Sequence, residues 1–181
     1  MLTKENMMKT IFSQALEPLL EERELEEIHT SEIIKKSGLA KSSFYRYFQD
    51  KYDLATWMLE RVLEGQSIQL TGPEEQEDNV KGLLLSLDAK RPVYQRLFKY
   101  KGQNSITDYY MNFGITLAKK ACKAKGTKIT KRDEYMVRYH MSGILELIAE
   151  WLFDPNPMSP EELTAIIREN NTPEVRKLFT T

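Results

Sequence analysis

Residues 32–51 run Glu32-Ile-Ile-Lys-Lys-Ser-Gly-Leu-Ala-Lys-Ser-Ser-Phe-Tyr-Arg-Tyr-Phe-Gln-Asp-Lys51, and this pattern predicts two short helices that meet at Gly38. Glycine allows a left-handed backbone turn that is costly for other residues. The second helix, from Lys41 to about Tyr47, is too short to be stable alone, so we expect Phe44 and Phe48 to hold it on a compact support. A short polar, aromatic and basic helix on such a support is typical of a DNA-binding helix-turn-helix unit.

Charge is distributed unevenly along the chain. The 181 residues carry a formal net charge of −1. Between Thr30 and Tyr52, five Lys and Arg residues stand against two acidic residues, a local charge of +3. Residues 2–29 instead hold seven Glu against three basic residues. A basic segment on a near-neutral chain predicts a protein that contacts phosphates at one surface only.

The composition also indicates where the protein works. Cys122 is the only cysteine, which excludes an intrachain disulfide and indicates a reducing compartment. No apolar run approaches the length of a membrane span, and the N-terminus lacks the uninterrupted apolar segment of a signal peptide. We therefore expect a cytoplasmic protein with no membrane partner.

Helical spacing of apolar residues continues on both sides of the central segment. A first amphipathic helix is predicted from about Lys4 to Glu22, with a kink or a weak final turn at Pro18, which has no backbone N–H to donate. The next helix is predicted to start near His29 or Thr30. Beyond the central segment, Asp50 is predicted to cap a fourth helix.

The composition changes between Gly65 and Asn79, where Gly72-Pro73 is followed by an acidic run. This change predicts two domains, a helix-turn-helix domain at residues 1–65 and a helical domain at residues 66–181. A short tail is expected from Thr172 onward. No alternating strand pattern is present, so the predicted fold class is all-α. The predicted start signals of the later helices are Pro92, Ser105 with Asp108, Thr130 with Asp133, and Ser159-Pro160.

Residues 38–54, Gly-Leu-Ala-Lys-Ser-Ser-Phe-Tyr-Arg-Tyr-Phe-Gln-Asp-Lys-Tyr-Asp-Leu, resemble the signature of TetR-family transcriptional regulators. The resemblance covers about residues 8–58 and includes the spacing Tyr-x-x-Phe-x-x-Lys-x-x-Leu. Two later segments, Arg91-Pro-Val-Tyr and residues 139–152, resemble one C-terminal subtype that is common in low-GC Gram-positive bacteria. That subtype includes regulators of dihydroxyacetone kinase operons.

The resemblance implies a set of DNA-contacting residues on and around the third helix. The three that open this helix would face base edges in the major groove, and the three that end it would contact phosphate or base at the groove wall. Lys51 would bond a backbone phosphate. Alternatively, Tyr45 and Tyr47 only cover the small core. The full set is His29, Thr30, Lys41, Ser42, Ser43, Tyr45, Arg46, Tyr47 and Lys51.

Two positions depart from the family pattern. His29 stands where the family usually has a Thr or Ser that caps the second helix and touches phosphate, so either His29 donates to phosphate or Thr30 takes the cap. Ala40 stands where Ser commonly caps the recognition helix, and Ala is a poorer cap by about 1 kcal/mol. We therefore expect a recognition helix that is less stable in the absence of DNA.

The resemblance also implies a homodimer. In the family, the C-terminal domain dimerises through its last two long helices, which correspond here to about Lys131–Phe153 and Pro160–Glu169. Ser142 and Gly143 offer a small-residue patch for a close approach. Two-fold pairing would separate two recognition helices by one DNA turn, ~34–36 Å, and would require a palindromic operator.

The C-terminal domain is rich in aromatic residues, which allows two interpretations. One is a pocket for an apolar or aromatic effector, as the family often has. The other is a packed core with Tyr hydroxyls at its edge. The candidate pocket residues are Tyr94, Phe98, Tyr109, Phe113, Tyr139 and His140.

The sequence contains none of the usual elements of an enzyme site. Two His and one Cys without metal-ligand spacing, and the lack of a Gly-rich phosphate loop or a nucleophile elbow, predict no enzyme, no cofactor and no metal. The predicted function is a sequence-specific DNA-binding transcriptional regulator, a repressor that a small-molecule effector releases. The alternative is a protein-binding co-regulator on the same fold with a disused DNA-binding unit.

Overall fold

The computed structural model describes residues 3–65, 73–100 and 106–179. Within these ranges no strand occurs, and the predicted all-α class is confirmed. None of the described helices is long and apolar enough to cross a membrane. A 3-10 turn, Leu25–Glu27, separates the first two helices. The helices are α1 Lys4–Glu22, α2 Thr30–Ser37, α3 Lys41–Tyr47, α4 Lys51–Gly65, α5 Pro73–Ala89, α6 Arg91–Lys99, α7 Ile106–Ala124, α8 Lys131–Phe153, α9 Pro160–Glu169 and α10 Pro173–Phe179.

Capping boxes open the two helices for which the sequence signals them most clearly. Thr130 pairs with Asp133 at the start of α8, and Ser159 pairs with Glu162 at the start of α9. In each box a hydroxyl accepts from a backbone N–H while the carboxylate accepts from the N-cap N–H. The predicted cap at Ser105 lies outside the described residues.

One segment extends beyond what the pattern suggests, whereas α1 ends at Glu22 as predicted, with Pro18 inside the helix. The expected tail is instead the helix α10, which Thr172 opens by accepting a hydrogen bond from the Val175 N–H at 3.3 Å. Val175 and Leu178 are buried, and α10 packs on α8. Burial of this apolar face explains why a seven-residue segment is helical.

The described residues form two compact units, and a cluster of aromatic rings lies at the centre of the first. Phe12 of α1 is fully buried, and its ring meets Phe44 of α3 edge-on at a centroid distance of 5.2 Å. It also meets Phe48 at 6.3 Å, and Phe48 contacts Trp57 of α4 at 6.0 Å. These contacts hold α3 between α1 and α4, since edge-to-face pairs add to the stabilisation from burial.

α6 belongs to this first unit, although it follows α5 in the chain. Its residues Tyr94 and Phe98 are buried, and the helix packs on α1. Glu24, just after α1, forms ion pairs with Arg96 and, at 3.0 Å, with Lys99. The division predicted from the sequence, between residues 65 and 66, would assign α6 to the C-terminal domain. In the structure the two units are discontinuous along the chain, because α6 belongs to the first unit.

The second unit contains α5, α7–α10 and the end of α4. A buried stripe runs along α8. α7 approaches it closely at Gly114, where an added Cβ would lie 2.8 Å from Met141 Cγ. α9 packs on α5, and the Trp151 indole N–H donates to the Met158 carbonyl at 2.7 Å. The stripe consists of Val137, Met141, Leu145, Ile148, Trp151 and Leu152.

Phe44→Ala should lower the free energy of unfolding of the first unit by about 3–5 kcal/mol, because it leaves a cavity against Phe12. Tyr45→Ala is the matched control. Tyr45 is 52% exposed, so its removal should cost less than about 1 kcal/mol. The measurement is urea unfolding followed through Trp57, in a Trp151→Phe background that removes the second tryptophan. An equal loss of unfolding free energy in both variants would contradict the orientation of α3 that buries Phe44 and exposes Tyr45.

Ala40→Ser should stabilise α3 by about 1 kcal/mol, because the hydroxyl can accept a hydrogen bond from a backbone N–H of the first turn. Ala40 has φ −69° and ψ 146°, close to the −63° and 153° of Ser159, which does cap its helix. Ser159→Ala is the inverse control and should lose about 1 kcal/mol. Urea unfolding followed through Trp57 checks Ala40→Ser, and urea unfolding followed through Trp151 checks Ser159→Ala. A loss at Ser159 without a gain at Ala40 would show that capping does not limit α3.

Candidate nucleic-acid interface

α3 presents one polar face to solvent and one apolar residue to the core. Lys41, Ser42, Tyr45 and Arg46 are exposed, whereas Phe44 is fully buried. Lys41 lies four residues before Tyr45, and Ser42 lies four residues before Arg46. Each pair is therefore adjacent on the helix surface. The Lys41 ammonium lies 5.9 Å from the centroid of the Tyr45 ring. Four side chains able to bond phosphates or base edges therefore share one surface.

The remaining α3 candidates are less accessible. Ser43 and Tyr47 are half-buried at the margin of this face. The Ser43 N–H bonds the Ala40 carbonyl at 2.9 Å and so belongs to the first turn of the helix. These two side chains lie at the edge of the surface that Lys41 and Arg46 define.

The turn before α3 depends on the backbone conformation of Gly38. Its φ of 68° and ψ of 8° lie in the left-handed region that favours glycine. The Ser37 hydroxyl donates to the Ile34 carbonyl at 2.8 Å and accepts from the Leu39 N–H at 3.2 Å. These local bonds define the angle at which α3 leaves α2.

His29, not Thr30, occupies the N-cap of α2. The His29 N–H donates to one oxygen of Glu32 at 2.8 Å, and Arg23 Nη2 donates to the other at 2.7 Å. These two hydrogen bonds lower the pKa of Glu32. The His29 side chain is exposed, and Thr30 is half-buried as the first residue of the helix. The N-cap is therefore His29, and the phosphate contact at this turn stays a prediction.

Lys51 lies at the start of α4, and its side chain contacts the backbone that precedes α2. Its ammonium donates to the carbonyls of Glu26 and Ile28 at 2.8 and 2.7 Å, and burial lowers the pKa of this group. The backbone of α4 is capped by Asp50, which accepts from the Tyr52 N–H at 2.8 Å. The carbonyls lie 25 and 23 residues from Lys51 in sequence, so no local pattern signals these contacts.

Two groups that sequence analysis did not single out complete this region. Arg23 supports Glu32, as described above, and Tyr100 stacks on Tyr52 with centroids 4.5 Å apart and an interplanar angle of 13°. The Lys51 ammonium lies 5.1 Å from the centroid of the Tyr52 ring. The start of α4 is thus enclosed by the segment before α2 and by the residue after α6.

The six candidate pocket residues divide between the two units. Tyr94 and Phe98 are buried in the first unit, where α6 packs on α1. Tyr139 is 86% exposed on α8 of the second unit. Helical spacing identifies the apolar face of a helix but not the partner that this face packs on, so it could not assign Tyr94 and Phe98 to the first unit.

The other three candidates lie in the second unit. Tyr109 and Phe113 are half-buried on α7, and their rings stack with centroids 6.1 Å apart. His140 is half-buried, with its ring centroid 6.3 Å from that of Phe179, and burial lowers its pKa. Among these three residues, Tyr109 and Phe113 form a direct ring contact.

α8 carries an exposed face opposite its buried stripe. Tyr135 is 66% exposed and Tyr139 is 86% exposed. Ser142, Gly143 and Glu146 continue this face at helical spacing, and all three are exposed. A Cβ added at Gly143 would meet nothing within 4 Å. Large exposed aromatic side chains beside a small-residue patch are typical of a protein–protein contact.

Comparison with known proteins identifies both parts of the chain. The family described as bacterial regulatory proteins, tetR family, matches residues 12–56, and the family described as transcriptional regulator C-terminal region matches residues 74–171, more than half of the chain. Among solved structures, the dihydroxyacetone kinase operon activator DhaS is similar, with a TM-score of 0.65 and 20% sequence identity over 96% of this chain and 98% of that chain. This similarity shows a shared fold. No curated protein matches the chain. The chain belongs to the TetR family of transcriptional regulators, and it is a regulator rather than an enzyme.

Proposed function

We propose that this regulator binds a palindromic DNA operator as a homodimer and places α3 in the major groove. The observation that carries this proposal is the exposed polar and basic face of α3, opposite the buried Phe44. A recognition helix needs this combination because its support must be rigid while its outer face exchanges hydrogen bonds with DNA. The cytoplasm is the proposed compartment because the operator DNA lies there.

The side chains of α3 would divide two tasks. Lys41, Ser42 and Ser43 would meet base edges, where hydrogen-bond patterns differ between base pairs. Tyr45, Arg46 and Tyr47 would contact phosphate or base at the groove wall, which sets register and orientation. The exposed positions of Lys41, Tyr45 and Arg46 support this division.

The N-terminal turn of α2 would supply a further phosphate contact. His29 is exposed at the N-cap, and Thr30 follows it. Backbone N–H groups and the positive end of the helix dipole at such a turn favour an anion. The Gly38 turn joins the opposite, C-terminal end of α2 to α3.

Lys41→Ala and Tyr45→Ala should each weaken operator binding by about 1–3 kcal/mol, because each removes an exposed group from the α3 face. The control is Lys120→Ala, which removes the same charge from α7 in the second unit and should leave binding unchanged. The measurement is fluorescence anisotropy with the promoter fragment next to the protein's own gene, or with fragments recovered by genome-wide selection.

Failure of the folded wild-type protein to bind any genomic fragment would sink the DNA-binding proposal. It would favour the alternative of a protein-binding co-regulator on the same fold. Equal effects of Lys41→Ala and Lys120→Ala would instead show that binding follows overall charge and does not depend on α3.

The homodimer would form through the exposed face of α8 together with α9. Tyr139 and the open patch at Gly143 support this arrangement, because a partner helix could approach closely there and cover the aromatic side chains. A two-fold axis would present two α3 helices at a spacing of ~34–36 Å, one turn of DNA. Each half of the operator would then be read by one protomer.

Gly143→Arg should convert the dimer to a monomer, because the side chain would project into the partner. The monomer itself should tolerate the change, since nothing lies within 4 Å of the added Cβ. Gly143→Ala is the control and should keep the dimer. Analytical ultracentrifugation measures the mass, and circular dichroism checks the fold. A dimeric Gly143→Arg protein would place the interface elsewhere.

Repression, with release by a small-molecule effector, is the proposed mode of regulation. The stacked, half-buried pair of Tyr109 and Phe113 supports an aromatic or apolar effector in the second unit. The name of the similar structure describes an activator, and at 20% identity that likeness concerns the fold. In vitro transcription from the bound promoter shows whether the protein represses or activates. An increase in transcription on adding the protein would contradict repression.

A further inference from the structure

The ammonium group of Lys51 is engaged inside the protein. It donates to the Glu26 carbonyl at 2.8 Å and to the Ile28 carbonyl at 2.7 Å. A lysine ammonium has three N–H donors, so these contacts occupy two of them. The side chain is half-buried, and Ile28 is fully buried. Reaching outward to a phosphate would disturb hydrogen bonds to carbonyls that are partly removed from water, which is costly.

The two carbonyls belong to the segment that leads into α2. This segment runs from the end of the 3-10 turn to His29, the N-cap of α2. Its other end is held by Glu32, which accepts from the His29 N–H at 2.8 Å and from Arg23 at 2.7 Å. Residues 26–29 are therefore fixed by Lys51 on one side and by Glu32 on the other.

We propose that Lys51 is a positioning residue for DNA binding: it fixes residues 26–29, and with them the N-terminal turn of α2, and does not bond a DNA phosphate. This inference rests on the proposed function, because it concerns how the first unit meets DNA. It reverses the role that the family resemblance implies for Lys51. It also explains how an exposed His29 is held at a defined place at the N-cap of α2.

A salt titration separates the two roles, because each lost phosphate contact reduces the slope of log K against log[salt] by about 0.9. The variants are Lys51→Met, Lys51→Gln and Arg46→Met, tested with a duplex fragment recovered by the wild-type protein, at a temperature where circular dichroism shows each variant folded. Arg46 is exposed on α3, so Arg46→Met is the matched loss of a phosphate contact.

Lys51→Met should bind roughly tenfold more weakly while keeping the wild-type salt slope, as expected for loss of hydrogen bonds to carbonyls that are partly removed from water. Arg46→Met should show the shallower slope. Lys51→Gln should recover part of the affinity, because its uncharged amide can still donate to a carbonyl. In the free protein, the backbone amide hydrogens of residues 27–29 should exchange faster in Lys51→Met than in the wild-type protein. Their exchange rate in Arg46→Met should equal that of the wild-type protein.

Two results would overturn the proposal. A slope for Lys51→Met as shallow as that of Arg46→Met, with unchanged amide exchange at residues 27–29, would establish a phosphate contact. Unchanged affinity of the folded Lys51→Met protein would reduce Lys51 to a purely structural role. Both results presuppose a wild-type protein that binds DNA. Failure of the wild-type protein itself to bind would overturn the proposed function.

Discussion

The edge-on contact between Phe12 and Phe44 is the interaction on which the candidate interface depends. α3 has seven residues and makes too few internal hydrogen bonds to persist alone in water. Burial of Phe44 against Phe12, with Phe48 closing the cluster, stabilises this helix and also orients it. Because one face is buried in this way, Lys41 and Arg46 project from the opposite face into solvent.

A second constraint acts on the backbone that precedes α2. Hydrogen bonds from Lys51 and to Glu32 hold this segment, and the Tyr52–Tyr100 stack packs beside it. Charged side chains that could have served as surface contacts are used here as internal supports. A protein that binds DNA through few side chains gains from such supports, because a displaced backbone would misalign all of its contacts at once.

Local features were accessible from the sequence. Gly38, the boundaries of α3 and the start of α8 at Thr130 were predicted, because turns, caps and helical periodicity involve residues within four positions of each other. α10 was missed as a helix even though Thr172-Pro173 resembles the start signal of α9. Its seven residues offered too short a pattern, and its stability comes from packing on α8.

By itself, then, the sequence determined the all-α class, the helix-turn-helix and the identity of the side chains on α3. Only the tertiary structure decided that α6 packs with the first unit, that Tyr139 is exposed and that Lys51 bonds two carbonyls. The physical reason is the range of the interactions. Periodicity reports which face of a helix is apolar, whereas the partner of that face, and the reach of a long charged side chain, depend on residues distant in the chain.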